Sequence, residues 1–218
     1  MSQAQEADCK NGVCHIPKQD DPSKDHPEDH QGDEPNTTDD LPPSYDDATG
    51  PRIERVKLNP HAGRNTILFR LKIEDGNGNK VPVYELVTEN KMIGFYFGAS
   101  WCPPCQQFSP VLCDFLEKNR SEFSVVHVSL DHSANEYRSY VRDKPWYNVP
   151  YDEPVRTELT ELFSVSLLPT LVIYDPARDY VVTSFWGRMA ITRNPDHCIE
   201  EWRRGQTGVS WLQLLKFW

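Results

Sequence analysis

The chain of 218 residues predicts an α/β domain, a mixed β-sheet flanked by helices, behind a long polar tail. Three observations carry the prediction. Residues 91–97 form a nearly continuous apolar run, the pattern of a central strand buried on both faces. Directly after it, Phe108, Val111, Leu112, Phe115 and Leu116 fall at i, i+3, i+4, i+7 and i+8. That spacing is one face of a helix over about residues 103–119. A further strand and helix follow, and the pattern closes on an antiparallel strand pair, which sets helices on both faces of the sheet.

Residues 1–50 hold 13 of the 33 acids and 3 of the 23 bases, and so carry the whole formal charge of −10. The other 168 residues balance at 20 of each sign. The tail's aliphatics are Val13, Ile16 and Leu41, set among acids and six prolines. Such a segment buries too little apolar surface to offset chain entropy. Residues 1–50 are therefore expected to be a disordered acidic arm with no part in the chemistry, 51–65 a linker, and 66–218 the domain. Acidity without a basic block argues against nucleic acid and anionic membranes as partners.

Within the domain, residues 66–73 and 80–86 read as two strands joined across Asp75-Gly-Asn-Gly-Asn79, which makes an N-terminal hairpin extension. Residues 124–130 are the next strand and 134–142 a helix. Val155, Leu159, Leu162 and Phe163 mark another short helix. Residues 170–174 and 180–184 read as a hairpin around Asp175-Pro176, and helices are expected near 197–204 and 209–217. No internal repeat is present.

Residues 1–16 hold no apolar run of signal-peptide length, and nothing reaches the ~20 apolar residues of a spanning helix. Cytosol or nucleus is the expected location. There the six cysteines meet a reducing environment, and a close pair points to catalysis or metal.

Trp101-Cys102-Pro103-Pro104-Cys105 sits between the buried strand and the amphipathic helix. Pro103 suits a first helical position, where φ is already helical and no N–H is needed. Cys102 would then cap the helix, where unpaired N–H groups and the positive dipole end stabilise a thiolate. Its pKa is expected to fall from ~8.5 to roughly 7 or below. Cys105, one turn inside and expected to be the more buried, would attack a mixed disulfide opened by Cys102. Zinc is the competing reading. It needs four ligands, usually two such pairs, and the domain offers only the isolated Cys113 and Cys198 beside this one. No metal and no bound cofactor are expected.

The residues Phe95-Tyr-Phe-Gly-Ala-Ser-Trp-Cys-Pro-Pro-Cys105 resemble the active-site strand and loop of the thioredoxin superfamily, in its nucleoredoxin and tryparedoxin branch. The likeness continues through Val128-Ser-Leu-Asp131, Lys144-Pro-Trp-Tyr-Asn-Val-Pro-Tyr151, Leu168-Pro-Thr-Leu171, Asp175-Pro176, and Gly187-Arg188 with Cys198. Val-Pro-Tyr, Asp-Pro and Gly-Arg are similar to the nucleoredoxin forms. The resemblance implies a thioredoxin fold, with Cys102 attacking and Cys105 resolving. It makes Pro169 a cis-proline facing the cysteines, with the backbone at Leu168 free to pair with an extended substrate. Without the family, Pro169 reads as a strand-start proline.

Two departures bear on mechanism. Where thioredoxin has a buried Asp that shuttles a proton, this chain has Tyr96, a poor base at neutral pH. His132 is then a candidate proton acceptor, against an exposed loop histidine. Where tryparedoxins carry a loop tryptophan that helps hold their glutathione-based dithiol, Leu130 stands, which argues against such a reductant. Trp101 offers a flat apolar surface beside the thiol and also suits a lid. Trp146, Cys113 and Cys198 read as packing.

The tail holds two short signals. Pro42-Pro43-Ser44-Tyr45 has the spacing read by WW domains, and Ser44 and Thr37 precede acids at the third position, which suits acidophilic kinases. Cys9, Cys14, His26 and His30 come close to a zinc-finger spacing, but Pro22 and Pro27 would break its helix. A regulatory Cys9–Cys14 disulfide is the better reading there, and inert thiols better still.

The expected function is a protein-disulfide reductase acting on protein disulfides, re-reduced by thioredoxin reductase or a small thiol. The alternative is a redox-gated regulatory protein in signalling whose tail recruits WW-domain partners.

Overall fold

The computed structural model of the chain describes residues 9–10, 13–16, 68, 70–87 and 91–209. Its strands are β1 (Cys9–Lys10), β2 (Val13–His15), β3 (Ile73–Glu74), β4 (Lys80–Val81), β5 (Met92–Gly98), β6 (Phe123–Ser129), β7 (Tyr147–Asn148), β8 (Leu167–Leu168), β9 (Thr170–Asp175) and β10 (Tyr180–Thr183). The helices are α1 (Pro103–Lys118), α2 (Ala134–Val141), α3 (Val155–Leu162), α4 (Gly187–Arg193) and α5 (Cys198–Arg203).

Seven strands form one sheet in the order β10-β9-β5-β6-β7-β3-β4. β5 runs parallel to β6 and antiparallel to β9, so the sheet is mixed as the sequence predicts. Every residue of β5 and β6 is buried, because helices cover both faces. Successive side chains of β5 part between two cores. Phe95 and Phe97 join Leu159, Phe163 and Tyr174 on one face. Met92 and Tyr96 join Phe108, Leu112, Phe115, Trp146 and Trp202 on the other. α4 packs tightly on the sheet, since a side chain at Gly187 would run into the Leu171 carbonyl.

The N-terminal hairpin is present but much shorter than 66–73 with 80–86. Leu68 and Arg70 are helical. The turn is built by Asp75, whose carboxylate accepts the N–H groups of Asn77 at 2.8 Å and Asn79 at 2.9 Å. Pro82 ends the second strand because it cannot donate to a ladder, and a 3-10 turn follows over Val83–Glu85. On α1, Val111 lies at the margin of the predicted face and is 39% exposed. α4 and the two-residue strands β7 and β8 have no counterpart in the sequence reading. Val209 is described and the helix expected from it lies outside the described residues.

The reading of residues 1–50 as a disordered arm does not hold at its first strands. β1 and β2 pair antiparallel, with Cys9 opposite Cys14, and β2 pairs with β8, with Cys14 opposite Leu168. The rest of that arm lies outside the described residues. No described helix is long and apolar enough to cross a membrane.

Candidate active site

The interior strand β5 ends at Gly98, and α1 begins five residues later. Between them Cys102 adopts an extended backbone, φ −97° and ψ 104°, and caps the helix. Its Sγ accepts the N–H of Cys105 at 3.3 Å. Its carbonyl accepts the N–H groups of Cys105 and Gln106 at 3.0 and 3.1 Å. Pro103 and Pro104 occupy the first two helical positions, which need no donors, so every N–H at this end is either absent or used. An N–H aimed at sulfur and the positive helix end both favour a thiolate at Cys102.

Cys102 and Cys105 are joined by a disulfide, with Cα atoms 5.2 Å apart. Both are 0% exposed, so the expected contrast between an open attacking cysteine and a covered resolving one is not found. Something else in the fold closes over Cys102. Leu168, also fully buried, shares its cluster, and the Leu168–Pro169 bond is cis as the resemblance implies. The backbone at Leu168 is not free: β2 is paired to it.

Trp101 is half-buried. Its indole N–H donates to the Leu130 carbonyl at 3.2 Å, and its ring stacks on His132. His132 itself is exposed, at the start of a loop pinned by the capping box of Ser133 and Glu136. Glu136 accepts the N–H groups of His132 and Ser133, both at 3.0 Å. The structure therefore places His132 on the indole that precedes the cysteine pair.

Below Cys105 lies a buried hydroxyl network. The Tyr96 hydroxyl is 3.0 Å from that of Tyr140 and 3.3 Å from Ser109 Oγ, and it donates to the Cys105 carbonyl at 3.4 Å. Ser109 Oγ also donates to that carbonyl, at 2.8 Å. Burial holds the Tyr96 phenol well above its ordinary range, so it serves as a neutral hydrogen-bonding group. His127, on β6, packs 5.4 Å from the rings of both tyrosines. It is wholly buried beside Asn148 and the Gly98 backbone, and burial, outweighing both, pushes its pKa down to about 3. Trp146 fills the same region against Tyr96, a packing role as predicted.

One positioning residue was missed by the sequence reading. Asp131 is buried and its Oδ1 accepts both the N–H and the hydroxyl of Ser100 at 2.7 Å, while Oδ2 accepts the Ser129 hydroxyl at 2.8 Å. It ties the loop before Trp101 to the end of β6. Its only sequence signal was its place in Val128-Ser-Leu-Asp131, which carries no sign of a partner at Ser100. Cys198 is buried and its thiol is pushed up to about 12, and Cys113 is half-buried with a raised pKa. Both raised values come from burial first. Among the described residues, no three His, Cys, Asp or Glu side chains converge as metal ligands. His26, His30 and Pro42-Pro43-Ser44-Tyr45 lie outside the described residues.

A family model described as thioredoxin-like matches residues 90–179. The chain is 36% identical over 132 residues to the probable nucleoredoxin 3 of Arabidopsis thaliana, which covers 59% of this chain and 32% of that protein. It is 33% identical over 115 residues to the tryparedoxin of Trypanosoma brucei brucei, covering 51% of this chain and 79% of that one. The structure of native tryparedoxin I from Crithidia fasciculata superposes with a TM-score of 0.52 at 34% identity, over 57% of this chain and 86% of that one. The chain thus spans most of the tryparedoxins' length and about a third of the nucleoredoxin's.

Proposed function

Since the chain belongs to the thioredoxin-like family, in its nucleoredoxin and tryparedoxin branch, we propose that it is a protein-disulfide reductase. The observation that carries the reading is the cap: Cys102 Sγ accepts the N–H of Cys105 at a helix start, with Cys105 already bonded to it. In the reduced state Cys102 attacks one sulfur of a substrate disulfide as the thiolate. A bond forms between Cys102 and that sulfur, and the second substrate sulfur leaves as a thiolate that takes up a proton. Cys105 then gives up its proton and attacks Cys102 Sγ, releasing the first substrate sulfur and closing the Cys102–Cys105 disulfide. Two electrons pass from the cysteine pair to the substrate. An NADPH-linked reductase or a small thiol returns them, and no bound cofactor enters.

Reduction of insulin by dithiothreitol tests this. The wild type should accelerate it and Cys102→Ser should not; equal rates in both would overturn the assignment. Cys105→Ser should accumulate a mixed disulfide on Cys102 that names protein substrates.

The finer reading concerns partners and place. A cytosolic or nuclear reductase with Pro42-Pro43-Ser44-Tyr45 in its tail can be carried to WW-domain proteins. Pull-down with Tyr45→Ala, under reducing and oxidising conditions, tests it. Binding indifferent to both changes sinks the motif and the redox gate together.

A further inference from the structure

Strand β2 occupies the backbone at Leu168 that the resemblance leaves to an extended substrate. Cys14 stands opposite Leu168 and His15 opposite Leu167, and the Ile16 N–H donates to the Ser166 carbonyl at 3.3 Å. This is an extended antiparallel addition to the edge of β8, the mode in which peptides are commonly held on an exposed strand. The Cys14 side chain is 0% exposed and belongs to the same buried cluster as Cys102, Cys105 and Leu168, with Ile16 packed against it. Cys14 is disulfide-bonded. A sulfur with no exposed surface, like that of Cys102, cannot reach a disulfide arriving from solvent while this strand is in place.

We propose that the Cys14 disulfide is a second redox centre of this chain and the internal substrate of Cys102, with β2 serving as a tethered substrate strand on β8. This rests on the exchange chemistry proposed above for Cys102. The Cys102 thiolate attacks Cys14 Sγ, a Cys102–Cys14 bond forms, and the sulfur to which Cys14 was bonded leaves as a thiolate. Cys105, deprotonated, then attacks Cys102 Sγ, and Cys14 leaves as the second thiolate. The Cys102–Cys105 pair is oxidised by two electrons and the Cys14 disulfide is reduced by the same two, so no outside oxidant is needed. Both released thiolates take up protons, one of them the proton that Cys105 gave up. Because the strand is tethered and already paired, the exchange is intramolecular and runs at an effective concentration far above that of any free protein substrate. Released from β8, a reduced β2 would open the Cys102 site to outside partners.

The test uses the full chain carrying Cys105→Ser, which removes the resolving thiol. The protein is reduced, freed of reductant, treated with one equivalent of diamide, quenched with N-ethylmaleimide, and digested without reduction. Mass spectrometry should find the Cys14 peptide joined to the Cys102 peptide as the principal disulfide. Its yield should be independent of protein concentration, and it should vanish when Cys14→Ser is added. The proposal is overturned if Cys14 is recovered joined to another partner, or as its own maleimide adduct, while Cys102 is recovered as the maleimide adduct. A parallel sample offered glutathione disulfide separates the two readings. A Cys102–glutathione adduct without any Cys14–Cys102 peptide ends the internal relay and leaves the reductase standing. Failure of Cys102 to take up either sulfur ends both. Cys105→Ala gives the same readout should the serine variant not fold.

Discussion

The rings of Trp101 and His132 lie parallel, 5.1 Å between centroids and 5° between planes, while the indole N–H is held by the Leu130 carbonyl. Thirty-one positions separate the two residues in sequence, yet this stack fixes the aromatic surface that borders the cysteine pair. An aromatic pair contributes about 0.5–1.5 kcal/mol beyond its buried area, and less where one ring is exposed as His132 is. His132→Ala should therefore lower stability by about 1 kcal/mol or less in urea denaturation. Trp101→Ala should raise KM for insulin more than it lowers kcat. An unchanged KM would leave Trp101 as a lid alone.

Asp131 holds Ser100 and Ser129 at once, and removing it leaves the half-buried Ser100 N–H and the Ser129 hydroxyl without this acceptor. Asp131→Ala should cost about 1–3 kcal/mol of stability. The same change should slow alkylation of reduced Cys102 by iodoacetamide at pH 7, since the loop that sets the cap loses its anchor. Stability loss with unaltered alkylation would confine Asp131 to folding.

Tyr96→Phe deletes a hydroxyl that meets Tyr140, Ser109 and the Cys105 carbonyl. The expected cost is about 1 kcal/mol. Because burial holds this phenol protonated well above the ordinary tyrosine range, it takes no proton from Cys105 near neutral pH. The pH profile of the resolving step, followed by stopped-flow release of the mixed disulfide, should be the same in Tyr96→Phe and wild type. A shifted profile would restore Tyr96 as a proton carrier.

His127 makes folding pH-dependent. Its ring takes up a proton at about 3 in the folded chain, against 6.5 for the free side chain. Between those values the unfolded chain binds the extra proton, so stability falls as pH drops below about 6.5 and keeps falling towards about 3. The slope from one such group is at most about 1.4 kcal/mol per pH unit. His127→Phe should flatten the curve of stability against pH between 6.5 and 4 relative to wild type, whatever its effect at pH 7. Parallel curves would show that the ring protonates freely in the fold.

Thiol labelling should rank the cysteines by burial. In the reduced native protein at pH 8, iodoacetamide should reach Cys113 slowly and Cys198 only after urea is added, because burial pushes the latter thiol up to about 12. Rapid native labelling of Cys198 would contradict its burial at the first turn of α5.

The elements that sequence reading placed well are those with a long local signal. β5 shows itself through an unbroken apolar run and α1 through five apolar residues on one face. The cap at Cys102 is legible because the chemistry of a helix start depends on the four or five residues around it. What escaped has no such signal. β7 and β8 are two residues each, and a two-residue strand exists only because another strand lies beside it. The short helix α4 is held against β9 by the absence of a side chain at Gly187, a contact defined by the sheet.

By itself the sequence determined the mixed sheet and the helix that starts at the cysteine pair, since each follows from periodicity or from backbone chemistry within one turn. The tertiary structure decided what those cysteines face. Asp131 finds Ser100 across 31 positions and Tyr96 finds Tyr140 across 44. Val13–His15, charged by composition to a disordered arm, finds the edge of β8 more than 150 positions away. Such pairings depend on which edges and cavities the rest of the fold leaves unfilled. That is a property of the assembled sheet, and no window of the chain contains it.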